Sequence, residues 1–226
     1  MGWFGKSKQE THTQTFELRN PPREVRSQVV DALDNALARV GTTEVMHAID
    51  PGRIVSFRNG GPPVWSVAMV DVDAHVPYTL LVTYGFSHAL SPEPERAGMN
   101  YELSLAIKRS DEPMSPWPVA LLRHLCRYQL TSGNELRVGD VMPGRIPLTH
   151  LPFPPQHHAS MPMTTTDCIL VVHDPVLGPI STPHGPIEVR RISGMAMMEM
   201  ETVGPEPAMN RAAIWGETNP DFITFL

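Results

Sequence analysis

The chain has 226 residues, 41% of them hydrophobic, so it is long enough to bury a substantial core. Its 24 prolines and 16 glycines stay below the roughly 25–30% of residues that marks low-complexity chains, which argues against wholesale disorder. The formal net charge of −6 leaves no excess of positive charge to neutralise phosphates, so nucleic-acid binding is not expected.

The N-terminal half is predicted to alternate between helix and strand. A flexible polar arm over residues 1–20 precedes a helix that opens at Pro21 and repeats apolar residues at helical spacing until Gly41. Residues 43–58 are typical of a β-hairpin around an Asp-Pro-Gly turn. Two further strands are expected at residues 64–72 and 78–84, and the second has the continuous apolar run of a strand covered on both faces.

The C-terminal half is predicted to contain a half-buried strand, a helix, a proline-rich loop and a final hairpin. The strand alternates apolar and polar residues from Tyr101 to Lys108, which indicates one dry and one wet face. The remaining predicted elements are a helix at 115–133, a loop at 143–162 with one short strand, a hairpin joining 168–173 to 187–192, a helix at 195–202 and a closing strand at 222–226. With neither a repeat nor a clear linker, residues 21–226 are expected to form one α+β domain, a mixed and largely antiparallel sheet covered by two or three helices.

The two cysteines and the N-terminal residues indicate the cellular compartment in which the protein is expected. Cys126 and Cys168 cannot build a disulfide framework, and the chain has no C-x-x-C pair for zinc or redox chemistry. The first residues lack the apolar run of a secretory signal, and no window approaches the about 18 consecutive apolar residues of a membrane span. We therefore expect a cytoplasmic protein that needs no cofactor and does not insert into a membrane.

Two patterns would suit an enzyme. Ser87 follows a predicted strand in the order Gly-Phe-Ser-His-Ala, a variant of the turn that exposes a nucleophilic serine, but Pro92 and Pro94 oppose the helix that must follow such a turn. Asp71, Asp73 and His75 alternate and would share one face of a strand, where they could hold a hard cation. A hydrolase that uses Ser87 or a metal at these three residues is the alternative to a non-enzymatic function.

Other reactive residues favour structural interpretations. Cys126 and Cys168 lie in apolar patterns and are expected to be small buried hydrophobes. The adjacent pair His157-His158 lies in the proline-rich loop and is expected to be solvated. For the methionine cluster two interpretations stay open, filling of the core and an adaptable contact surface; its members are Met195, Met197, Met198 and Met200.

Five motifs in a fixed order resemble the suppressor of fused family, both the N-terminal lobe of its animal members and its single-domain bacterial relatives. The motifs are Tyr84-Gly85-Phe86-Ser87, Tyr101-Glu102-Leu103-Ser104-Leu105, Trp117-Pro118 with Leu121, Leu122, Leu125, Arg127 and Tyr128, Asp174-Pro175 with Thr182-Pro183 and Gly185, and Asn219-Pro220 before Ile223-Thr224. The resemblance covers about residues 78–226 and implies a non-enzymatic protein-binding domain.

The resemblance also implies a site. In animal members the lobe is one half of a clamp that holds a short transcription-factor peptide as an added β-strand. The residues that match its peptide-binding groups are Tyr128, Asp140 and His173, and His173 replaces an acid of the family pattern. A site that lacks this acid loses one charge-assisted partner for a basic or histidyl group.

The bacterial members suggest the kind of partner. Many single-domain relatives resemble immunity proteins that neutralise a cognate toxin, and an acidic chain would attract a basic toxin over long range. We therefore expect a protein or peptide partner. The sequence leaves the oligomeric state open.

Overall fold

The computed structural model describes residues 23–46, 66–87, 99–110, 114–203 and 208–225. Within these residues the helices are α1 (Arg23–Leu37), α2 (Trp117–Ser132), α3 (Met197–Val203) and α4 (Ala208–Thr218), with one 3-10 helix at Pro155–Ser160. The strands are β1 (Thr42–Met46), β2 (Ser66–Val72), β3 (Tyr78–Tyr84), β4 (Tyr101–Lys108), β5 (Val141–Pro143), β6 (Thr166–His173), β7 (Ile180–Thr182), β8 (Gly185–Ala196) and β9 (Ile223–Thr224).

The strands form one mixed sheet in the order β1-β2-β3-β4-β8-β6-β5. Strand β7 pairs with β8 and β9 with β4. Among the described strands, β4 pairs in parallel with β8 and with β9, and the other pairings are antiparallel. The predicted α+β class with a largely antiparallel sheet is confirmed.

Helices cover both faces of the sheet. Successive side chains of a strand point to opposite faces, and the central strands carry apolar residues on both, so both faces need a covering layer. On one face, α2 packs with odd-numbered residues of β3, β4 and β6; this core includes Leu81, Leu103, Leu105, Trp117, Leu121, Leu125 and Val171. On the opposite face, α1 packs against a core that includes Val29, Leu33, Leu37, Val70, Leu80 and Val82. The helices α3 and α4 cover the far part of that second face, over Cys168, Leu170 and Met195.

Several predicted elements are confirmed with small changes in their limits. The helices α1 and α2, strand β3, the β6–β8 hairpin and the closing strand occur where they were expected. Helix α2 ends at Gly133 in the left-handed conformation, with φ of 71°, which a glycine adopts at little cost. None of the helices in the described segments is long and apolar enough to cross a membrane.

Three predictions need correction or lie outside the described residues. Strand β4 is not half wet, because Tyr101–Ile107 is buried on both faces. Strand β1 pairs with β2, a pairing that the sequence did not predict; the second half of the predicted hairpin over 43–58, like the arm at 1–20, lies outside the described residues. Helix α4 was missed, since two prolines and a glycine precede it and its apolar pattern is short.

A fully buried ion pair joins β8 to the turn after β6. Arg191 Nη2 lies 2.8 Å from Asp174 Oδ2, and both side chains have 0% exposure. Ser104 of β4 donates its hydroxyl to the same carboxylate oxygen at 2.6 Å. Burial acts to raise the pKa of Asp174, but Arg191 and the hydrogen bonds prevail and lower it. The pair therefore fixes the end of β6, where His173 lies, relative to β4 and β8.

A second buried group, Glu102 of β4, is surrounded by hydrogen-bond donors. Its carboxylate accepts from the main-chain N–H groups of Gly85, Phe86 and Ser87. It also accepts from the hydroxyls of Thr83 and Ser87, each at 2.6 Å. Burial raises the pKa of Glu102 to about 7, against the opposing effect of these hydrogen bonds. Glu102 thus holds the turn after β3 against the start of β4.

We predict that Arg191→Met lowers the free energy of unfolding by about 3–5 kcal/mol, because it leaves the Asp174 carboxylate buried without its cation. The matched control is Arg109→Met, which breaks an ion pair of the same 2.8 Å length between Arg109 and Asp73 at the surface. This control should cost less than about 1 kcal/mol. Urea denaturation measures both, and equal losses would contradict the role given to the buried pair.

We predict that Glu102→Gln destabilises the fold by about 1–3 kcal/mol, because either orientation of the amide points its NH2 at a main-chain N–H. The folded pKa of about 7 lies above the ordinary 4.5, so Glu102 stabilises the fold most at low pH. That contribution is lost as the pH rises from about 4.5 to about 7. The wild-type advantage over Glu102→Gln should therefore be larger at about pH 5 than at about pH 8.

Denaturation at the two pH values measures this difference. Glu217→Gln, at an exposed position of α4, is the control and should match the wild type at both. A wild-type advantage that is the same at both pH values would show that Glu102 does not titrate in this range.

Candidate functional site

The loop at 133–140 connects α2 to β5 and relates the three residues of the predicted site to one another. It contains Asp140, contacts Tyr128 and bonds to β6, the strand that ends at His173. It begins at Gly133, whose N–H closes the end of α2 on Gln129. It ends in a turn in which the Asp140 N–H donates to the Arg137 carbonyl at 2.9 Å. A second bond of 2.7 Å joins the Gly139 N–H to the Val171 carbonyl and ties the turn to β6.

Tyr128 lies in the last turns of α2 and is half-buried. Its ring packs against the core under α2. Its hydroxyl accepts a hydrogen bond of 3.3 Å from the Asn134 side-chain amide in the loop. The ring is therefore held by apolar contacts, while the hydroxyl lies at the exposed rim where a partner can reach it.

Asp140 closes the loop and is also half-buried. Its Oδ2 accepts a hydrogen bond of 2.7 Å from the Arg137 N–H, and its carbonyl accepts one of 2.9 Å from the Val171 N–H. The carboxylate thus shapes the turn with one oxygen. An amide in its place could still accept that bond through its oxygen, which separates the structural role of the residue from its charge.

His173 is the last residue of β6 and its side chain is exposed. In the β6–β8 ladder it lies opposite Arg190, so the two side chains share one face of the sheet. The next residue is the buried Asp174, which anchors this end of the strand. The imidazole is thus presented to solvent from a rigid position.

Arg190 completes this site and was not singled out from the sequence. Its guanidinium lies 3.7 Å from the centroid of the Tyr101 ring. Its Nη1 donates to Glu135 Oε1 at 2.8 Å and to the Leu136 carbonyl at 2.7 Å, and its Nη2 lies 3.1 Å from Glu188 Oε2. Only its alternation with buried residues of β8 marks it in the sequence, because its partners come from distant segments.

Tyr101 and Gln129 support the site from below. The Tyr101 hydroxyl donates to Gln129 Oε1, which also accepts the Leu136 N–H at 2.9 Å. Burial raises the pKa of Tyr101, and the nearby Arg190 cation opposes that rise only in part. The phenol therefore stays neutral and joins β4, α2 and the loop.

We call the surface group formed by Tyr128, Glu135, Asp140, His173 and Arg190 the loop patch; Glu135 and His173 are exposed, and the other three are partly buried. Each of the three predicted residues contacts or neighbours a different part of the loop: Tyr128 contacts Asn134, Asp140 closes its turn, and His173 lies opposite the arginine that holds Glu135. The patch carries carboxylates, a guanidinium, an imidazole and a phenol. Such a mixed polar surface suits the recognition of a peptide or protein.

Among the described strands, only β5 pairs with the edge of the sheet beside the patch, and it pairs with part of it. Strand β5 pairs with Cys168–Leu170 of β6, and Val171 bonds to the turn before β5 through both its N–H and its carbonyl. Main-chain groups of residues two apart in a strand point the same way. The main chain of His173 therefore faces this same edge, three residues beyond the end of the β5 pairing.

Ser87 does not have the surroundings of a nucleophile. It is 0% exposed, and its hydroxyl donates to Glu102, as does its main-chain N–H. A substrate cannot reach a hydroxyl that is buried in this way. The residues after Ser87, which would decide between helix and loop, lie outside the described segments up to Met99.

The predicted shared face of Asp71, Asp73 and His75 does not form, because β2 ends at Val72. Asp71 accepts a hydrogen bond of 2.9 Å from Thr79, and Asp73 forms its ion pair with Arg109. Among the described residues, no group of three or more acidic, histidine or cysteine side chains could hold a metal ion. The interpretation as a metal site is therefore wrong for this part of the chain.

The remaining candidates divide between core and surface. Cys126 and Cys168 are buried, as predicted, and burial raises the pKa of both thiols. His157 is exposed as expected, but His158 is half-buried and stacks on His150 with ring centroids 4.6 Å apart, so it is not the solvated residue that was expected. Of the clustered methionines, Met195 and Met200 are buried, whereas Met197 and Met198 are exposed.

Comparison with known proteins concerns the family and the fold of the chain. The family model described as Suppressor of fused protein matches residues 60–213. The human Suppressor of fused homolog is 27% identical over 158 residues, which are 68% of this chain and 30% of the human protein. The chain thus spans about a third of the length of this curated relative.

Solved structures show the same fold. A chain of a Sufu–Fu complex superposes with a TM-score of 0.68 at 20% identity, over 92% of this chain and 91% of that one. A SUFU homolog from Neisseria gonorrhoeae superposes with a TM-score of 0.55 at 10% identity, over 88% and 93%. Because the family model matches more than half of this chain, the chain belongs to the suppressor of fused family.

Proposed function

We propose that this chain is a non-enzymatic protein-binding module that recognises a peptide segment of its partner through the loop patch. The observation that carries the proposal is the position of His173. It is exposed at the end of β6, where the main chain faces a sheet edge that β5 leaves uncovered. An extended segment added there would form main-chain hydrogen bonds, while nearby side chains would select its sequence.

The side chains around that edge provide the selectivity. Tyr128 offers a ring and a hydroxyl, and Asp140 a carboxylate oxygen that the turn does not use. Arg190 is 13% exposed and already engaged by Glu135 and Glu188, so it mainly holds those carboxylates in place. The patch therefore favours a segment that brings a donor or a cation to Asp140 and Glu135.

The comparisons support a protein as the partner. One of the similar folds was solved as a Sufu–Fu complex, so a protein of this architecture binds another protein. The position that carries an acid in the family pattern is His173 here. We therefore expect this chain to select a ligand different from the one bound by animal members, with a weaker demand for a basic residue at that point.

For the partner itself we propose a toxin that the chain neutralises as a cytoplasmic immunity protein. Two observations support this assignment. The Neisseria homolog shares the fold over 93% of its own chain, so a bacterial protein of this size exists with the same architecture. The net charge of −6 would speed association with a basic toxin.

We predict that Asp140→Asn weakens binding to the partner about tenfold or more, because it removes the charge and keeps the acceptor for the Arg137 N–H. Affinity capture from a lysate of the source organism, followed by mass spectrometry, identifies the partner, and titration with the purified partner gives the dissociation constants. Asp31→Asn, at an exposed position of α1 on the opposite face, is the matched control. If the two variants bind equally well, the loop patch is not the binding site.

We predict that cells expressing the captured partner stop growing and are rescued by the wild-type chain but not by Tyr128→Ala. Tyr128 is half-buried, and its substitution removes the hydroxyl at the rim together with the exposed part of the ring. The association rate should also fall by about tenfold as salt rises from about 20 to 200 mM. A partner without toxicity would contradict the immunity role and leave the binding site itself standing.

A further inference from the structure

Five residues with exposed apolar side chains lie at the end of the sheet where β6 starts, opposite the loop patch. We call them the methionine patch. They are Ile146, Met163, Met197, Met198 and Phe225, of which Met163 is 78% and Met198 75% exposed. Single exposed hydrophobic residues are ordinary, but a group of them at one place marks an interaction surface.

Hydrogen bonds place two of these residues, Ile146 and Met163, close to Thr166 along the main chain. The Leu148 N–H donates to the Thr166 carbonyl at 2.9 Å, which brings the loop containing Ile146 alongside β6. The Thr164 hydroxyl lies 3.1 Å from that of Thr166, and Met163 is the residue before Thr164. The loop that contains Ile146 and the segment that contains Met163 therefore lie beside the first residues of the strand.

The other three residues reach the same point from the C-terminal part of the chain. The Thr166 hydroxyl donates to the Phe225 carbonyl at 2.8 Å. The Met197 N–H donates to Asp167 Oδ1 at 2.8 Å, and Met198 is the next residue of α3. All five side chains thus belong to residues within three positions of a direct contact with Thr166 or Asp167.

The rim of the patch is acidic. Asp167 accepts the Met197 N–H beside the patch, and Glu199 accepts a hydrogen bond of 2.6 Å from the Ala196 N–H just ahead of α3. Glu201 is exposed on the same short helix, and Arg145 lies in the loop beside Ile146. Asp167 and Glu201 therefore give the patch carboxylates that can pair with a basic residue of a ligand, which matches the sign of the whole chain.

We propose that the methionine patch is a second docking surface, which binds an amphipathic segment of a partner protein with apolar residues on one face and Lys or Arg beside them. Methionine side chains are flexible and polarisable, so they adapt to different apolar groups. The acidic rim selects the charge of the flanking residues.

This surface is separate from the proposed binding site. The eight residues of β6 between Thr166 and His173 place the two about 23 Å apart, at about 3.3 Å per residue. A partner could therefore contact both surfaces at once. Loss of one surface should leave the other intact.

The test uses a fluorescent peptide of Leu and Lys patterned as an amphipathic helix, and a matched peptide in which Glu replaces Lys. We expect the basic peptide to bind and the acidic one not to bind. Met163→Gln with Met198→Gln should weaken binding of the basic peptide by about tenfold or more, because two exposed apolar contacts are lost without a change of charge. Glu201→Gln should weaken it by about two- to fivefold at low salt.

The matched control is Met114→Gln, which changes an exposed methionine ahead of α2 and should leave the affinity unchanged. Circular dichroism checks that each variant is folded. Equal affinity for the acidic peptide, or full binding by the double methionine variant, would overturn the proposal. Light scattering adds one more outcome: a dimer that the double variant dissociates would assign the patch to a second copy of this chain and refute a basic partner.

Discussion

The burial of the sheet on both faces is the constraint from which much of this structure follows. Strands β3, β4, β6 and β8 have no wet face at their centre, so every polar side chain there needs a partner inside the protein. The Arg191–Asp174 pair, with the hydroxyl of Ser104, meets this requirement on three elements at once. The Asp174 carboxylate also accepts the N–H groups of Val176 and Leu177 in the turn after β6. The buried ion pair therefore also fixes the position of the neighbouring residue, His173.

The residues of the family motifs mostly form contacts between separate segments of the chain. Glu102 of the second motif binds the turn of the first, and Ser104 binds Asp174 of the fourth. Asn219 of the last motif bonds to both the N–H and the carbonyl of Ile223. These residues hold the fold together, which explains why they can identify the family without naming a ligand.

The sequence predicts elements well where apolar periodicity and a stop coincide, as in α2 and its end at Gly133. It fails at β4, whose alternation is real but whose polar residues face an interior rather than water. The role of Arg190 could not be predicted from the sequence, because it depends on tertiary contacts with Tyr101, Glu135 and Glu188. The choice of His173 came from a resemblance, whereas its exposure at the end of β6 came from the structure.

The parallel pairing of β4 with β8 has a consequence for folding. Each of the strands β1 to β4 pairs antiparallel with the next one along the chain, so these four can pair early. The other edge of β4, at Tyr101–Leu105, pairs with Glu188–Ile192 of β8, which is synthesised much later. During synthesis, an apolar strand edge of β4 therefore stays open until β8 has emerged. In this period the nascent chain offers a template for wrong strand pairing, so its yield in cells should depend on how quickly the C-terminal third is completed.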